Sequence, residues 1–203
     1  MFQKIFKNNI ETFADECSRQ IDCDDATEII ANGIEGNEGI EIPARAFADN
    51  TKLESAVIGD NVVYIRRAAF LNCTNLEDVN FDSESKLQSI KPDAFRGCVK
   101  LQSIALPDGV TEISANAFLD CESLSDLTLN NNLIDIRFKA FRKCTSLTSV
   151  DIPDSVRTIA AQAFSGCTNL SALKIPAGVH IGIDAFKGTP FEAVIIEQLV
   201  NDV

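Results

Sequence analysis

Tryptophan is absent from this chain of 203 residues, and tyrosine, histidine and methionine occur once each. Because His180 is the single histidine, no second imidazole is available for a metal pair, and no Ser-His-Asp motif surrounds it. Glycine-rich phosphate-binding loops are also missing. The sequence therefore predicts a protein that is not an enzyme and that holds no metal and no cofactor.

Basic charge is scarce, with 18 Lys and Arg against 30 Asp and Glu and a formal net charge of -12 at pH 7. A protein of this sign repels nucleic acid and anionic membranes, so we expect neither as a partner. The longest apolar runs, such as 68–71 and 193–196, fall far short of the roughly 20 residues that span a bilayer. We therefore also expect no membrane insertion.

A secretory signal is not visible either, because the first 25 residues lack an apolar stretch of about 7–15 residues. If Met1 is the native start, this absence predicts a cytoplasmic protein. If a leader has been removed, the protein belongs at the cell surface or outside the cell. The sequence leaves the compartment open between these two.

One phrase of eleven residues dominates what is present. AFRGCVKLQSI (94–104) returns as AFLDCESLSDL, AFRKCTSLTSV and AFSGCTNLSAL. Its Ala-Phe dipeptide recurs with spacings of 23, 25, 23, 23, 23 and 22 residues, at Phe47, Phe70, Phe95, Phe118, Phe141, Phe164 and Phe186. In most copies an isoleucine stands five residues before the phenylalanine and a leucine six residues after it. Self-similarity at a fixed period indicates a repeat architecture.

Each repeat contains a strand signal followed by a turn signal. Beyond the leucine comes an alternating apolar pair, such as Ile104 and Leu106, and then turn residues, such as Pro107-Asp108-Gly109. A single repeat of this length cannot bury its own apolar side, so neighbouring repeats must stack. We therefore predict a solenoid of about seven coils of about 23 residues over residues 39–203.

Residues 1–38 do not repeat. Their apolar residues recur at helical spacing, as in Phe2, Ile5, Phe6, Ile10 and Phe13. We predict an N-terminal helical cap, residues 1–38, that covers the first coil. A helix lying on a membrane surface is the alternative, but residues 1–25 hold three basic against six acidic side chains, which favours the cap.

The full pattern reads Ile-x-x-x-Ala-Phe-x-x-Cys-x-x-Leu-x-x-hydrophobic-x-hydrophobic-Pro. It closely resembles the BspA-like subfamily of leucine-rich repeats, over about residues 40–203. The resemblance implies a mostly β member of the α/β repeat solenoids, curved and right-handed, that binds other macromolecules. Such proteins are often surface adhesins or secreted proteins of bacteria and protozoa. The resemblance implies no chemistry.

Five cysteines stand three residues after a repeat phenylalanine: Cys73, Cys98, Cys121, Cys144 and Cys167. Stacking places them in a ladder at about 5 Å, within reach of disulfide bonds. Their odd number and parallel side chains instead favour small buried thiols that fill the core. A metal site is disfavoured because its ligands converge on a point, whereas these lie along a line.

The outward positions between the buried strand residues form the candidate binding strip, which we expect on the concave face. Its residues are small, polar and mildly acidic, and they leave room for a protein partner, although a plain solvated sheet has the same composition. The candidates are Ser55, Asp78, Asn80, Ser103, Asp126, Thr128, Ser149, Asp151 and Lys174, with Val57, Ala105 and Ala172 at the remaining positions.

A second, basic strip flanks the Ala-Phe turns and is the alternative site, for an acidic partner. Its residues are Arg66, Arg67, Arg96, Lys100, Arg137, Lys139, Arg142 and Lys143. The predicted function is a non-enzymatic recognition module, with a cell-surface adhesin domain or a structural element that assembles through its solenoid ends as alternatives. The last coil favours assembly, because Phe191, Val194 and Ile196 end the chain without a polar cap.

Overall fold

The computed structural model describes residues 28–31 and 39–192. The elements within these ranges are short strands, two in each repeat. They are β1 (Glu28–Ala31), β2 (Ile40–Ile42), β3 (Ser55–Ile58), β4 (Val62–Ile65), β5 (Asp78–Phe81), β6 (Ser89–Ile90), β7 (Ser103–Ala105), β8 (Glu112–Ile113), β9 (Asp126–Thr128), β10 (Asp135–Ile136), β11 (Ser149–Asp151), β12 (Thr158–Ile159), β13 (Ala172–Lys174) and β14 (His180–Ile181).

The strands form two parallel sheets on opposite sides of each coil. The odd-numbered strands form what we call the long-strand sheet, ordered β1-β3-β5-β7-β9 and continued by the pair β11-β13. The even-numbered strands form the short-strand sheet, ordered β14-β12-β10-β8-β6-β4-β2. Equivalent residues of successive repeats pair, as Ile104 does with Leu127, which confirms the predicted solenoid. The described residues make about six turns of about 23 residues.

The short-strand sheet was not predicted from the sequence, which indicated one strand and one turn in each repeat. Most of its strands span two residues, as in Glu112–Ile113 and Asp135–Ile136. So short a segment shows no alternation of apolar and polar residues. The repeat period, which stacks Ile113 on Ile136, is the signal that could have revealed it.

The Ala-Phe segment connects the two sheets and forms its own inter-coil ladder, which we call the arc. The phenylalanine N–H donates to the alanine carbonyl of the next coil, from Phe95 to Ala117 and from Phe118 to Ala140, both at 2.8 Å. Within one coil, the N–H of Cys121 donates to the carbonyl of Phe118 at 3.3 Å, which closes a turn. Most neighbouring coils are therefore bonded to each other on three sides, along the two sheets and the arc.

Left-handed backbone recurs twice in each arc, two residues before and two residues after the phenylalanine. The preceding position has φ between 56° and 61° and holds Arg45, Ala68, Asp93, Asn116, Lys139, Gln162 and Asp184. The following position has φ between 56° and 78° and holds Asp49, Asn72, Gly97, Asp120, Lys143, Gly166 and Gly188. These two turns bend each coil around its phenylalanine.

The phenylalanines stack in one line through the core, as their spacing predicts. Neighbouring ring centroids lie 5.0–5.4 Å apart, and the ring planes are within 14° of parallel. Phe118 and its inner neighbours are fully buried among the leucines and isoleucines of the repeat. The offset stack adds about 0.5–1.5 kcal/mol per aromatic pair to the burial of the rings.

The five repeat cysteines are buried and form no disulfide bonds, which confirms the prediction of small buried thiols in the core. Each thiol also donates a hydrogen bond to the carbonyl of the phenylalanine in the preceding coil, for example from Cys98 to Phe70 at 3.1 Å and from Cys121 to Phe95 at 3.2 Å. The thiol therefore binds adjacent coils together, a role that its position in the core alone did not predict.

The predicted helical cap is wrong for Glu28–Ala31, which form strand β1. This strand pairs with β3 in register, from Glu28 with Ser55 to Ala31 with Ile58, so the long-strand sheet begins inside the predicted cap. Its apolar Ile29 is buried in the core. Residues 1–27 and 32–38, which carry the rest of the predicted helix, lie outside the described residues.

At the other end, Phe191 packs half-buried against the core. The N–H of Gly188 donates to the carboxylate of Glu192 at 2.8 Å, where an inner coil would use a carbonyl of its neighbour. Val194 and Ile196 lie outside the described residues. In residues 28–31 and 39–192, no helix has the length and hydropathy of a membrane span.

Candidate binding surface

The long-strand sheet positions the candidate residues by simple alternation. On β7, Ile104 points into the core, whereas Ser103 and Ala105 point outward. On β11, Val150 is buried between exposed Ser149 and Asp151. Because successive side chains of a strand point to opposite faces, the buried column fixes the outward column.

All nine predicted site residues lie on the outer face of this sheet, and each is exposed or half-exposed. Register pairing aligns them in two columns. One column contains Ser55, Asp78, Ser103 and Asp126, and then Ser149; the other contains Val57, Asn80, Ala105 and Thr128, and then Asp151 and Lys174. The structure therefore brings these residues together on one continuous surface.

Charged residues on this surface have no partners among the described residues. Asp78, Asp126 and Asp151 form neither ion pairs nor side-chain hydrogen bonds there, and Lys174 has no carboxylate within 4.0 Å. The long-strand face therefore presents carboxylates that have no partner among the described residues.

On the short-strand sheet, two arginines are paired with carboxylates of the preceding coil. The guanidinium of Arg137 contacts the carboxylates of Glu112 at 2.7 Å and of Asp135 at 3.3 Å. The hydrogen bond to Glu112 raises the pKa of Arg137 above its ordinary value. Arg66 binds Glu41 of the preceding coil in the same way.

The basic strip is largely neutralised as well. Asp93 lies between Arg67 and Arg96, at 3.6 and 3.7 Å. Lys100 approaches Glu77 and Lys143 approaches Asp120, while the ammonium of Lys139 lies 4.5 Å from the ring centroid of Phe138. Exposed pairs of this kind contribute about 0–1 kcal/mol to stability, but they leave little net positive charge for an acidic partner.

A cavity of about 510 Å³ opens on the long-strand face over β9, β11 and β13. Its polar lining comes from Ser125, Asp126, Thr128, Ser149, Asp151 and Lys174, and the half-buried Leu127, Leu129 and Leu173 form its floor. No ladder joins β9 to β11 beneath it. The sequence did not predict this cavity, because β9 and β11 follow the same repeat pattern as the paired strands on either side.

Metal ligands are not gathered at this surface. No group of three or more His, Cys, Asp and Glu side chains in residues 28–31 and 39–192 is arranged to hold a metal ion. His180 lies apart, exposed at the start of β14 on the short-strand sheet. The surface can therefore offer hydrogen bonds and charge to a ligand.

Stacked coils of about 23 residues, each with a leucine-anchored strand in a parallel sheet, define a leucine-rich-repeat solenoid, a generally non-enzymatic class of repeat protein. The sequence matches the family described as BspA type leucine rich repeat region, in six copies over residues 40–136 and 88–203. The chain belongs to this BspA-type leucine-rich repeat family.

Among solved structures, the chain is similar to the leucine rich repeat protein of T. pallidum (TpLRR), with a TM-score of 0.77 and 30% identity over 87% of this chain and 82% of that chain. It is also similar to a leucine rich cell surface protein from Faecalibacterium prausnitzii A2-165, with a TM-score of 0.52 and 22% identity over 84% of this chain and 60% of that one. The second similarity shows the fold alone. A comparison with curated proteins found no match.

Proposed function

We propose that this protein is a recognition module that binds a protein partner through the outer face of the long-strand sheet, the side that the sequence predicts to be concave. Leucine-rich-repeat proteins generally mediate protein interactions, which supports a binding role. Hydrogen bonds between coils, along the sheets and the arc, also make the solenoid a rigid platform. A partner can therefore bind without the cost of ordering loops.

The observation that carries the proposal is the difference in charge pairing between the two sheets. Arg137 and Arg66 on the short-strand side are paired with carboxylates of their own chain. Within residues 28–31 and 39–192, Asp78, Asp126 and Asp151 on the long-strand side have no such partner. Complementary charges on a partner fix its register and speed its association, and free carboxylates on small neighbours are accessible for that role.

Capture of the partner by arginine variants tests this proposal. Ser103→Arg, Asp126→Arg and Ser149→Arg together place three long side chains on the long-strand face without touching the core. We expect this triple variant to lower affinity for the purified partner at least about a hundredfold, through steric block and charge reversal.

A matched control changes the opposite side of the molecule by the same net charge. It combines Asp108→Arg, Thr111→Arg and Thr158→Arg, which lie in a turn and on the short-strand side. Native affinity in the control with loss in the first variant supports the proposal. Native affinity in both variants would show that the binding site lies elsewhere.

Assembly through the solenoid ends is the second candidate function. In inner coils the phenylalanine N–H donates to the next coil, but the N–H groups of Asp184 and Phe186 have no acceptor among the described residues. Such an edge favours association with another strand or arc. Light scattering over a concentration series tests it: a rising mass supports assembly, and a constant monomer mass contradicts it.

A further inference from the structure

The long-strand sheet is interrupted between β9 and β11. At the junctions on either side, the coils are closed by bonds from Leu106 N–H to Thr128 carbonyl at 2.9 Å and from Ile152 N–H to Lys174 carbonyl at 3.0 Å. The equivalent bond at the interruption, from Leu129 N–H to the carbonyl of Asp151, is absent from the described residues.

The junction between β9 and β11 is also open at the N-terminal end of β9. In the preceding coil, the carbonyl of Gln102 accepts hydrogen bonds from the N–H groups of Ser125 and Asp126, at 3.0 and 3.2 Å. Its equivalent, the carbonyl of Ser125, accepts no hydrogen bond from a described residue. The carbonyl of Ser125 and the N–H of Leu129, one at each end of β9, therefore lack the described partners that their equivalents have.

The opening is local to this side of the two coils. On the short-strand side, Ile136 still pairs with Ile159. In the arc, the N–H of Phe141 still donates to the carbonyl of Ala163 at 2.8 Å. Frayed coils would separate on every side, so the interruption is a feature of the long-strand face, and the cavity of about 510 Å³ lies directly over it. That volume is within the roughly 300–1,000 Å³ of ligand pockets.

The groups around the cavity are rich in hydrogen-bond acceptors. The carboxylates of Asp126 and Asp151 line it, and the carbonyls of Ser125 and Asp151 belong to the interrupted junction. Lys174 is the single cation among the lining residues. Acceptors that stay unpaired in a closed interface are unfavourable, so a fitting ligand must bring several donors and a positive charge.

We propose that the interrupted junction between β9 and β11 binds an arginine side chain of the partner protein. A guanidinium presents five N–H donors in a planar fork, which suits carboxylates and carbonyls together, whereas the lysine ammonium is a strongly hydrated point charge. The aliphatic stem of the arginine packs on Leu127 and Leu173 at the floor. The inference deepens the proposed function by naming the group that the face recognises.

Titration with short peptides tests the assignment on the full chain. The probe is acetyl-Gly-Arg-Gly-amide, and the controls replace arginine by lysine or by uncharged citrulline. Binding is followed by chemical-shift changes in the amide NMR spectrum. We expect the arginine peptide to bind at least about tenfold more tightly than the lysine peptide and the citrulline peptide to bind more weakly still.

The chain supplies its own matched control for the carboxylates. Asp126→Asn and Asp151→Asn should each weaken the arginine peptide about ten- to hundredfold. Asp78→Asn should leave its affinity unchanged, because Asp78 occupies the same position as Asp126 two coils earlier, where it pairs with Ser103 of the next strand and does not line the cavity. All three positions are exposed strand residues, so thermal unfolding temperatures should stay close to native.

Two results would overturn the inference: no binding of the arginine peptide, or equal effects of Asp78→Asn and Asp126→Asn. The proposed function has a separate readout in partner capture. If the three-arginine variant loses capture and the arginine peptide does not bind, the long-strand face remains the proposed binding surface and the arginine site is rejected. If the arginine peptide binds at Asp126 and the three-arginine variant still captures the partner, the arginine site remains and the proposed function is rejected.

Discussion

A phenylalanine in the middle of the stack differs from one at its end in the number of rings it touches. Phe118 lies between Phe95 and Phe141, at 5.3 Å from each, whereas Phe186 stacks on Phe164 at 5.4 Å. The environment is otherwise the same, because both side chains are buried. The stability of a stacked solenoid is approximately a sum over neighbour interfaces.

We therefore expect Phe118→Leu to destabilise the protein more than Phe186→Leu, by one aromatic pair or about 0.5–1.5 kcal/mol, because two pairs are lost at position 118 and one at position 186. Urea unfolding of the two variants and the native chain measures both values. Equal losses at the two positions would show that ring stacking contributes little and that burial alone decides.

The buried thiols make stability sensitive to alkaline pH. Burial raises the pKa of the Cys98, Cys121 and Cys144 thiols well above the ordinary value, and for Cys98 the hydrogen bond with Cys73 adds to the effect. In the unfolded chain these thiols ionise near pH 8.5. Above that pH the unfolded state binds fewer protons than the folded state, so stability falls as the pH rises; below it, the full contribution is retained.

The expected decrease is up to about 1.4 kcal/mol per pH unit for each shifted thiol above roughly pH 9. Urea unfolding at several pH values measures the slope, and Cys121→Ala should reduce it by the share of one thiol. A native chain with the same stability at pH 7 and pH 10 would contradict this account of the cysteine ladder.

At the scale of elements, the arc depends on residues that tolerate left-handed backbone. Gly166 has φ of 78°, and the position of its absent Cβ would lie 3.2 Å from the Lys143 side chain of the preceding coil. Lys143 occupies the equivalent position with φ of 61°. A branched side chain in this region is strained, whereas glycine is not.

We expect Gly166→Val to destabilise the protein by roughly 1–2 kcal/mol and Lys143→Gly to be close to neutral, because relief of strain offsets the greater freedom of glycine in the unfolded chain. Thermal unfolding of the pair measures both effects. Tolerance of valine at position 166 would mean that the arc changes its conformation without cost.

The long strands could be predicted from the sequence, whereas the short ones could not. Alternation around Ile104 and Val150 identifies one buried face and one exposed face, and this also located the candidate surface. The two-residue strands around Ile113 are too short for any such pattern. At β1, Ile29 and Ala31 fell within the predicted cap, although they pair in register with Ala56 and Ile58 of the repeats.

For the whole molecule, the repeat period was enough to predict stacked coils and their core, because equivalent residues of a solenoid must align. The interruption between β9 and β11 was not predictable in the same way. Leu127 and Leu129 follow the repeat pattern as Ile104 and Leu106 do, yet the next junction is open. Local sequence specifies each coil, whereas the hydrogen bonding between two coils depends on how they pack against each other.

The most direct test of the central claim, that the long-strand face binds the partner, is site-specific photo-crosslinking in the native complex. A benzophenone amino acid is placed at Thr128 on β9, at Thr158 on β12 or at Arg142 in the arc, one position on each side of a coil. We expect the partner to be crosslinked from position 128 and not from positions 158 or 142. Crosslinking from position 158 or 142, with none from 128, would contradict the account.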